Sequence, residues 1–165
     1  MAIYHFSIKP ISRGDGRSAV AAAAYRSAQI LDDHRYGKVQ DYARKSGVEL
    51  SQIYAPADTA PDLLDRNKLW NTVEKSENRK DACLAREFEI AFPNELNEQQ
   101  RKAMLDELCK QIVNKYAVVV DASIHAPHTE VGSDERNYHA HIMFTTRAID
   151  PTSGLFASKK YRDFN

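Results

Sequence analysis

His139 and His141 lie one residue apart in the run Asn137–Arg147, which is apolar, β-branched and aromatic and contains no Gly or Pro. Such a run reads as a β-strand. Strand side chains alternate between faces, so both imidazoles point one way while Tyr138, Ala140 and Ile142 point the other. Upstream, Ala117–His125 reads as a second strand ending in a third histidine, and the intervening loop, Ala126–Arg136, is rich in turn-forming residues. Antiparallel pairing of the two strands brings His125 beside His139 and His141. Three neutral imidazoles with open positions between them are the ligand set of a catalytic metal site rather than a structural one. His128, in the loop, is the alternative third ligand, but a strand end is better fixed than a loop and favours His125. The competing interpretation is a hairpin with surface histidines, although half of the chain's 6 histidines are concentrated in these two strands.

Two carboxylates show the same spacing. In Ala82–Phe92, Glu87 and Glu89 share one face and Phe88 and Ile90 the other. Adjacent carboxylates on a strand repel unless a cation is near, and a metal centre, its imidazoles or an arginine supplies one. Carboxylates also orient metal-bound histidines. A solvent-facing sheet surface accounts for the pair equally well. Tyr25, followed by Arg26, has two readings: a core aromatic, which helical periodicity favours, or a nucleophile whose hydroxyl sits beside the metal. The arginines around it suit a phosphate.

Several elements must position these groups. Ala2–Lys9 alternates as a half-buried strand and carries His5. Ser18 is an N-cap for a helix over Ala19–Ile30 that contains four successive alanines, small enough to lie close to a sheet. Asp32–Tyr42 is polar and turn-like, and Val48–Tyr54 is a short strand. Asp62–Lys75 has helical spacing, with Trp70 assigned to the core. Asn97 and Gln100 form a capping box for a structural helix. Ala148–Asn165 is a polar, basic tail with little core-forming pattern. The order predicts an α+β fold: a central antiparallel sheet of about five strands, helices packed mainly on one face, and His125, His139, His141, Glu87 and Glu89 on the other.

With 42% hydrophobic and 28% charged residues, the 165-residue chain reads as a single globular domain over 1–165. No apolar run is long enough to span a bilayer, and no leader precedes the first strand. Cys83 and Cys109 are isolated, as expected in a reducing, cytoplasmic compartment. The net charge of zero carries no global nucleic-acid signal. Arg13, Arg17, Arg26, Arg35, Lys38, Arg44 and Lys45 fall in the first third, and Arg147, Lys159, Lys160 and Arg162 at the end, so a basic face is conceivable. A merely solvated surface is the default explanation.

Gly16–Arg26 and Arg136–His141, with Arg86–Glu89 and Asp121–His125 between them, resemble the MobA/MobL family of plasmid mobilisation relaxases, in order and through essentially the whole chain. The resemblance implies a tyrosine-dependent single-strand DNA endonuclease and transesterase that nicks and rejoins one strand at an origin of transfer. Tyr25 would form a 5′-phosphotyrosine link and free a 3′-hydroxyl, and His125, His139 and His141 would hold the metal. Imidazoles suit Mn, Ni, Co or Zn better than Mg, so Mn or Mg is expected, with Mn the better fit. Glu87 is favoured over Glu89 as the acceptor behind a ligand or the group that helps deprotonate Tyr25. Tyr36 and Tyr42 are the substitutes for Tyr25, and neither matches the motif. Single-stranded DNA needs a positive track and stacking surfaces. Arg13, Arg17, Arg26, Arg44, Lys45, Lys159, Lys160 and Arg162 are candidates for the track, and Tyr36, Tyr42 and Tyr161 for stacking. The expected partners are single-stranded origin-of-transfer DNA, accessory relaxosome proteins and a coupling protein, with no membrane insertion. Such a domain reads as the N-terminal part of a longer protein. Two alternatives stand beside this one. A rolling-circle replication initiator shares the chemistry but places its tyrosine after the histidine pair. A catalytically silent DNA-binding module with a structural metal would leave the Tyr25 hydroxyl unreacted.

Overall fold

The computed structural model describes residues 6–127 and 137–161. Its strands are β1 (Phe6–Ser12), β2 (Ile30–Asp33), β3 (Lys38–Asp41), β4 (Val48–Tyr54), β5 (Cys83–Ala91), β6 (Val120–His125) and β7 (His139–Phe144). Its α-helices are α1 (Ala19–Ser27), α2 (Arg66–Ser76) and α3 (Glu98–Tyr116). Five strands form one sheet in the order β1-β5-β7-β6-β4, with every pairing antiparallel, as the α+β expectation requires. His5, His128, Arg136 and Arg162 lie outside the described residues.

The alternation of side chains divides the sheet into two unlike faces. Ile90, Ala122, Ile124, Ala140 and Ile142 pack against Leu105, Cys109 and Val113 of α3. On the opposite face Ile11, Ala85 and Met143 pack with Ala19, Val20 and Ala23 of α1 and with Leu69 and Trp70 of α2. Two of the three α-helices therefore share a face, but it is the face that carries the histidines, not the one behind them as expected. The small side chains of α1 explain the arrangement. Ala19, Val20, Ala22, Ala23 and Ala24 are all buried, so the helix lies close to the strands and brings its last turn to the polar end of that face.

Each helix is fixed by polar groups at its ends. The Ser18 side chain accepts from the Ala21 N–H, as its N-cap spacing predicts, and donates to Asp33 at 2.7 Å. Glu74 of α2 accepts from the Ala19 N–H at 3.0 Å. Asp121 of β6 receives the forked guanidinium of Arg66 and, at 2.8 Å, the indole N–H of Trp70, which locks α2 onto the sheet. The capping box at Asn97 and Gln100 is formed.

Further expectations change, among them the end of the first helix, which stops at Ser27 so that Ile30 opens β2. Asp32–Tyr42 is not merely turn-like, because β2 and β3 pair as a hairpin. Aspartates disfavour strands, but here Asp33 is buried and accepts from Ser18 and Gln40, and Gly37 supplies the positive φ of the turn. The described part of the tail, residues 148–161, is also folded. Ile149 is buried and bridges to Phe156, Ala60 donates to the Gly154 carbonyl, and the Tyr161 hydroxyl donates to the Tyr116 carbonyl. Backbone hydrogen bonds of this kind leave no hydropathy pattern to detect. Among the described residues no helix is long and apolar enough to cross a membrane.

Candidate active site

The register of the central strands assembles the three imidazoles. In β6 and β7 His125 is directly opposite His139, and His141 is opposite Ser123. All three side chains emerge on the α1 face, with ring centroids 4.6–5.3 Å apart. One nitrogen from each lies within 4.8 Å of the others, close enough to converge on a single ion. β5 lies on the other side of β7, placing Glu89 opposite His141 and Glu87 opposite Met143. Glu87, Glu89 and His141 form a second such group.

Hydrogen bonds constrain which ring nitrogens face the centre. His125 Nε2 lies 2.8 Å from the Arg26 carbonyl at the end of α1, which leaves Nδ1 as the ligand atom if Nε2 donates. His139 Nδ1 lies 3.3 Å from the Asn137 carbonyl. His141 Nδ1 lies 3.5 Å from the Glu87 carboxylate and makes no hydrogen bond. Burial holds His125 far below the ordinary histidine range, to about 3, with the other imidazoles and Lys45 adding to the effect and the Arg26 carbonyl opposing it. Three converging imidazoles, one of them with a nitrogen that makes no hydrogen bond, fit a divalent ion, and the buried His125 is held in the unprotonated form that a metal binds. Nitrogen donors select Mn, Co, Ni or Zn over Mg.

Glu87 is almost fully enclosed. Burial disfavours its charge, but His141 and the Arg26 guanidinium outweigh that and hold its carboxyl at about 2. Arg26 grips it through Nε and, at 3.2 Å, Nη2. Glu89 is more open, with Lys9 3.6 Å away.

Tyr25 is not the core aromatic that periodicity favours: it is 47% exposed. The alanines take the buried side of α1, while Ala21, one turn back on the tyrosine's own face, is only half-buried. The Tyr42 ring meets Tyr25 edge-on, with centroids 5.3 Å apart. Tyr25 is one residue from Arg26, whose carbonyl contacts His125. The last turn of α1 thus lies against the imidazoles.

The proposed phosphate track is only partly available. Arg13 is buried, its guanidinium bound to Glu74 and to the carbonyls of Glu74, Glu77 and Arg79, so it is a structural residue and not a surface contact. Arg26 is taken up by Glu87. Lys160 pairs with Glu77 at 3.0 Å and donates to the Cys83 carbonyl, at the end of β5 remote from the histidines. Arg44 and Lys159 are exposed, and Arg17 is half-exposed with a long contact to the Pro10 carbonyl. Sequence reasoning missed Glu74, Glu77 and Asp121, each an unremarkable acid in its own segment whose partners come from elsewhere in the fold.

A family model described as the MobA/MobL family matches residues 17–163. Mobilization protein MobL of Acidithiobacillus ferridurans is 38% identical over 94% of the chain, which spans 45% of that protein. Conjugal transfer protein TraA of Rhizobium radiobacter is 36% identical over 97% of the chain, which spans 15% of that protein. A solved structure titled "Molecular Basis of Vancomycin Resistance Transfer in Staphylococcus aureus" aligns with a TM-score of 0.84 at 32% identity, covering 98% of this chain and 79% of that one. The chain therefore spans less than half the length of the two curated relatives.

Proposed function

The chain belongs to the MobA/MobL family, and on that premise we propose that it nicks and rejoins one strand of DNA at a plasmid origin of transfer through a covalent link to Tyr25, initiating conjugative mobilisation. The observation that carries this reading is the contact between the end of α1 and the trio: the Arg26 carbonyl, one residue past the exposed Tyr25, is 2.8 Å from His125. The helix end that carries Tyr25 is thereby tied to the three imidazoles.

In the proposed reaction the Tyr25 oxygen attacks phosphorus and the bond to the 3′-oxygen breaks. The phenol loses its proton, and the departing oxygen takes one up as a 3′-hydroxyl. The product is a 5′-phosphotyrosine, and attack by a 3′-hydroxyl reverses the step, so rejoining needs no separate energy source. His125, His139 and His141 would hold a divalent ion, which would supply charge to offset that of the phosphate. Glu87 is too acidic to accept the phenol proton well. It serves to orient His141 and Arg26 instead, and Glu89 is the carboxylate left with solvent access. The DNA contacts fall to Arg17, Arg44 and Lys159, with Tyr36 exposed for stacking.

The test is a denaturing gel of protein mixed with an origin-bearing single-stranded oligonucleotide and Mn. A covalent adduct is expected from the parent, none from Tyr25→Phe, and a strongly reduced amount from His139→Ala. Cleavage that survives in Tyr25→Phe would refute the tyrosine mechanism.

A further inference from the structure

We infer that Lys45 is a positioning residue for the nucleophile, holding both the last turn of α1 and the ring of Tyr25; the inference rests on the reading of Tyr25 as that nucleophile. The final carbonyls of a helix have no partner within it and form the negative end of its dipole. In α1 three successive carbonyls are satisfied by different parts of the protein. Ala24 accepts from the N–H groups of Ala28 and Gln29. Tyr25 accepts from Lys45 Nζ at 3.0 Å. Arg26 is met by His125 Nε2. The same ammonium lies 3.6 Å from the centroid of the Tyr25 ring, where a cation is attracted to the π face. One side chain therefore holds the backbone and the ring of the same residue, while Tyr42 bounds the ring edge-on.

The segment that carries Lys45 is itself tied to the site at both ends. The Tyr42 N–H donates to the Gln29 carbonyl, just beyond α1, and the Lys45 N–H donates back to the Tyr42 carbonyl. At the other end the Gly47 carbonyl accepts at 2.7 Å from Ala126, the residue after His125, and Val48 pairs with His125. Gly47 has a φ of 89°, which suits glycine and lets the chain turn into β4. Residues 42–47 thus span the distance from the exit of α1 to the metal ligand. An exposed tyrosine without these contacts would sample several rotamers, and few of them place its oxygen in line with a phosphorus atom. Composition alone suggested Lys45 as a phosphate contact and Tyr42 as a stacking platform, whereas both side chains are directed at Tyr25.

The experiment is single-turnover adduct formation at saturating origin oligonucleotide with Mn, using the full chain as parent, Lys45→Met, Lys45→Arg and Tyr25→Phe. Lys45→Met is expected to lower the saturating rate by roughly 10- to 100-fold, the scale of a small misplacement, with the half-saturating DNA concentration little changed. Lys45→Arg keeps a cation that donates and stacks on aromatic rings, so it recovers most of the rate. In parallel, the NMR signals of the Lys45 ε-methylene are expected to be ring-current-shifted in the parent and in Tyr25→Phe, and to lose that shift in Tyr25→Ala. Lys45→Met with the parent's saturating rate overturns the inference, including the case in which only DNA affinity falls. So do Lys45 signals indifferent to Tyr25→Ala. An adduct missing from the parent itself refutes the nucleophile reading, and the inference falls with it.

Discussion

Replacing Arg13 by methionine separates a structural arginine from a DNA contact. Its side chain is 5% exposed and its partner Glu74 1%. The guanidinium makes four hydrogen bonds: two from Nη1, to the carbonyls of Glu77 and Arg79 at 2.7 and 2.6 Å, and two from Nη2, to the carbonyl and the carboxylate of Glu74 at 3.1 and 2.8 Å. Methionine fills much of the volume but leaves the Glu74 carboxylate buried with the Ala19 N–H as its remaining donor. Breaking one side of a buried ion pair costs about 3–5 kcal/mol. With a urea m-value of about 2 kcal/mol/M, the unfolding midpoint should fall by roughly 2 M. Glu74→Met alone should be similarly destabilising, because it strands the guanidinium. The double substitution should recover much of the loss, because no uncompensated charge then remains. The salt dependence of DNA affinity, measured where the variant is still folded, should be unchanged; loss of a phosphate contact would lower its slope by about 1. An unshifted urea midpoint combined with a reduced salt slope would refute the reasoning and return Arg13 to the DNA surface.

Glu87→Gln keeps the shape of the side chain but removes the charge that Arg26 and His141 face. Mn affinity measured by calorimetry should fall about 10- to 100-fold, and an unchanged affinity would show that Glu87 does not orient the site. Gly154→Ala should be destabilising by at least about 1–3 kcal/mol in thermal unfolding. The residue has a φ of 75°, and an added Cβ would lie 2.5 Å from the Asp58 carbonyl oxygen and 2.9 Å from the Ala60 nitrogen. A neutral Gly154→Ala would mean that the tail does not pack against residues 58–60 as found.

The parts of the site that were legible in the sequence are those governed by local periodicity. His139 and His141 share a face because strand side chains alternate, and the same rule places Glu87 and Glu89 together. His125 needed one further step, the pairing of two consecutive strands. Asn97 and Gln100 were legible because a capping box is a four-residue pattern. The illegible parts depend on which helix covers which face. Nothing in Asp62–Lys75 shows that Glu74 will meet Arg13, 61 residues away, and nothing near Asp121 shows that it will receive both Arg66 and Trp70. Periodicity alone favours the core for Tyr25 because helical spacing gives the direction of a side chain only relative to its own helix. Once the alanines are seen to occupy the buried side, its exposure follows.

The core and the site are specified by one register. Shifting β7 by a single residue would exchange the faces of all its side chains at once. His139 and His141 would then turn toward Leu105 and Cys109 under α3, while Ala140 and Ile142 would line the polar end of the other face. The burial of Ile124, Ala140 and Ile142, each at most 1% exposed, therefore holds the three imidazoles together with no dedicated element. β6 and β7 are also interior strands, flanked by β4 and β5, so neither can slip without breaking hydrogen bonds along both its edges. The proposed nucleophile, Tyr25, has no such protection. It lies on the last turn of a 9-residue helix at the surface, where backbone ends fray, and its position depends on the few groups that satisfy that end. A substitution in the apolar face of β7 should thus disturb the proposed metal site together with stability, whereas a substitution of Tyr42 or Lys45, whose side chains meet Tyr25, should disturb the tyrosine while leaving the three imidazoles in place.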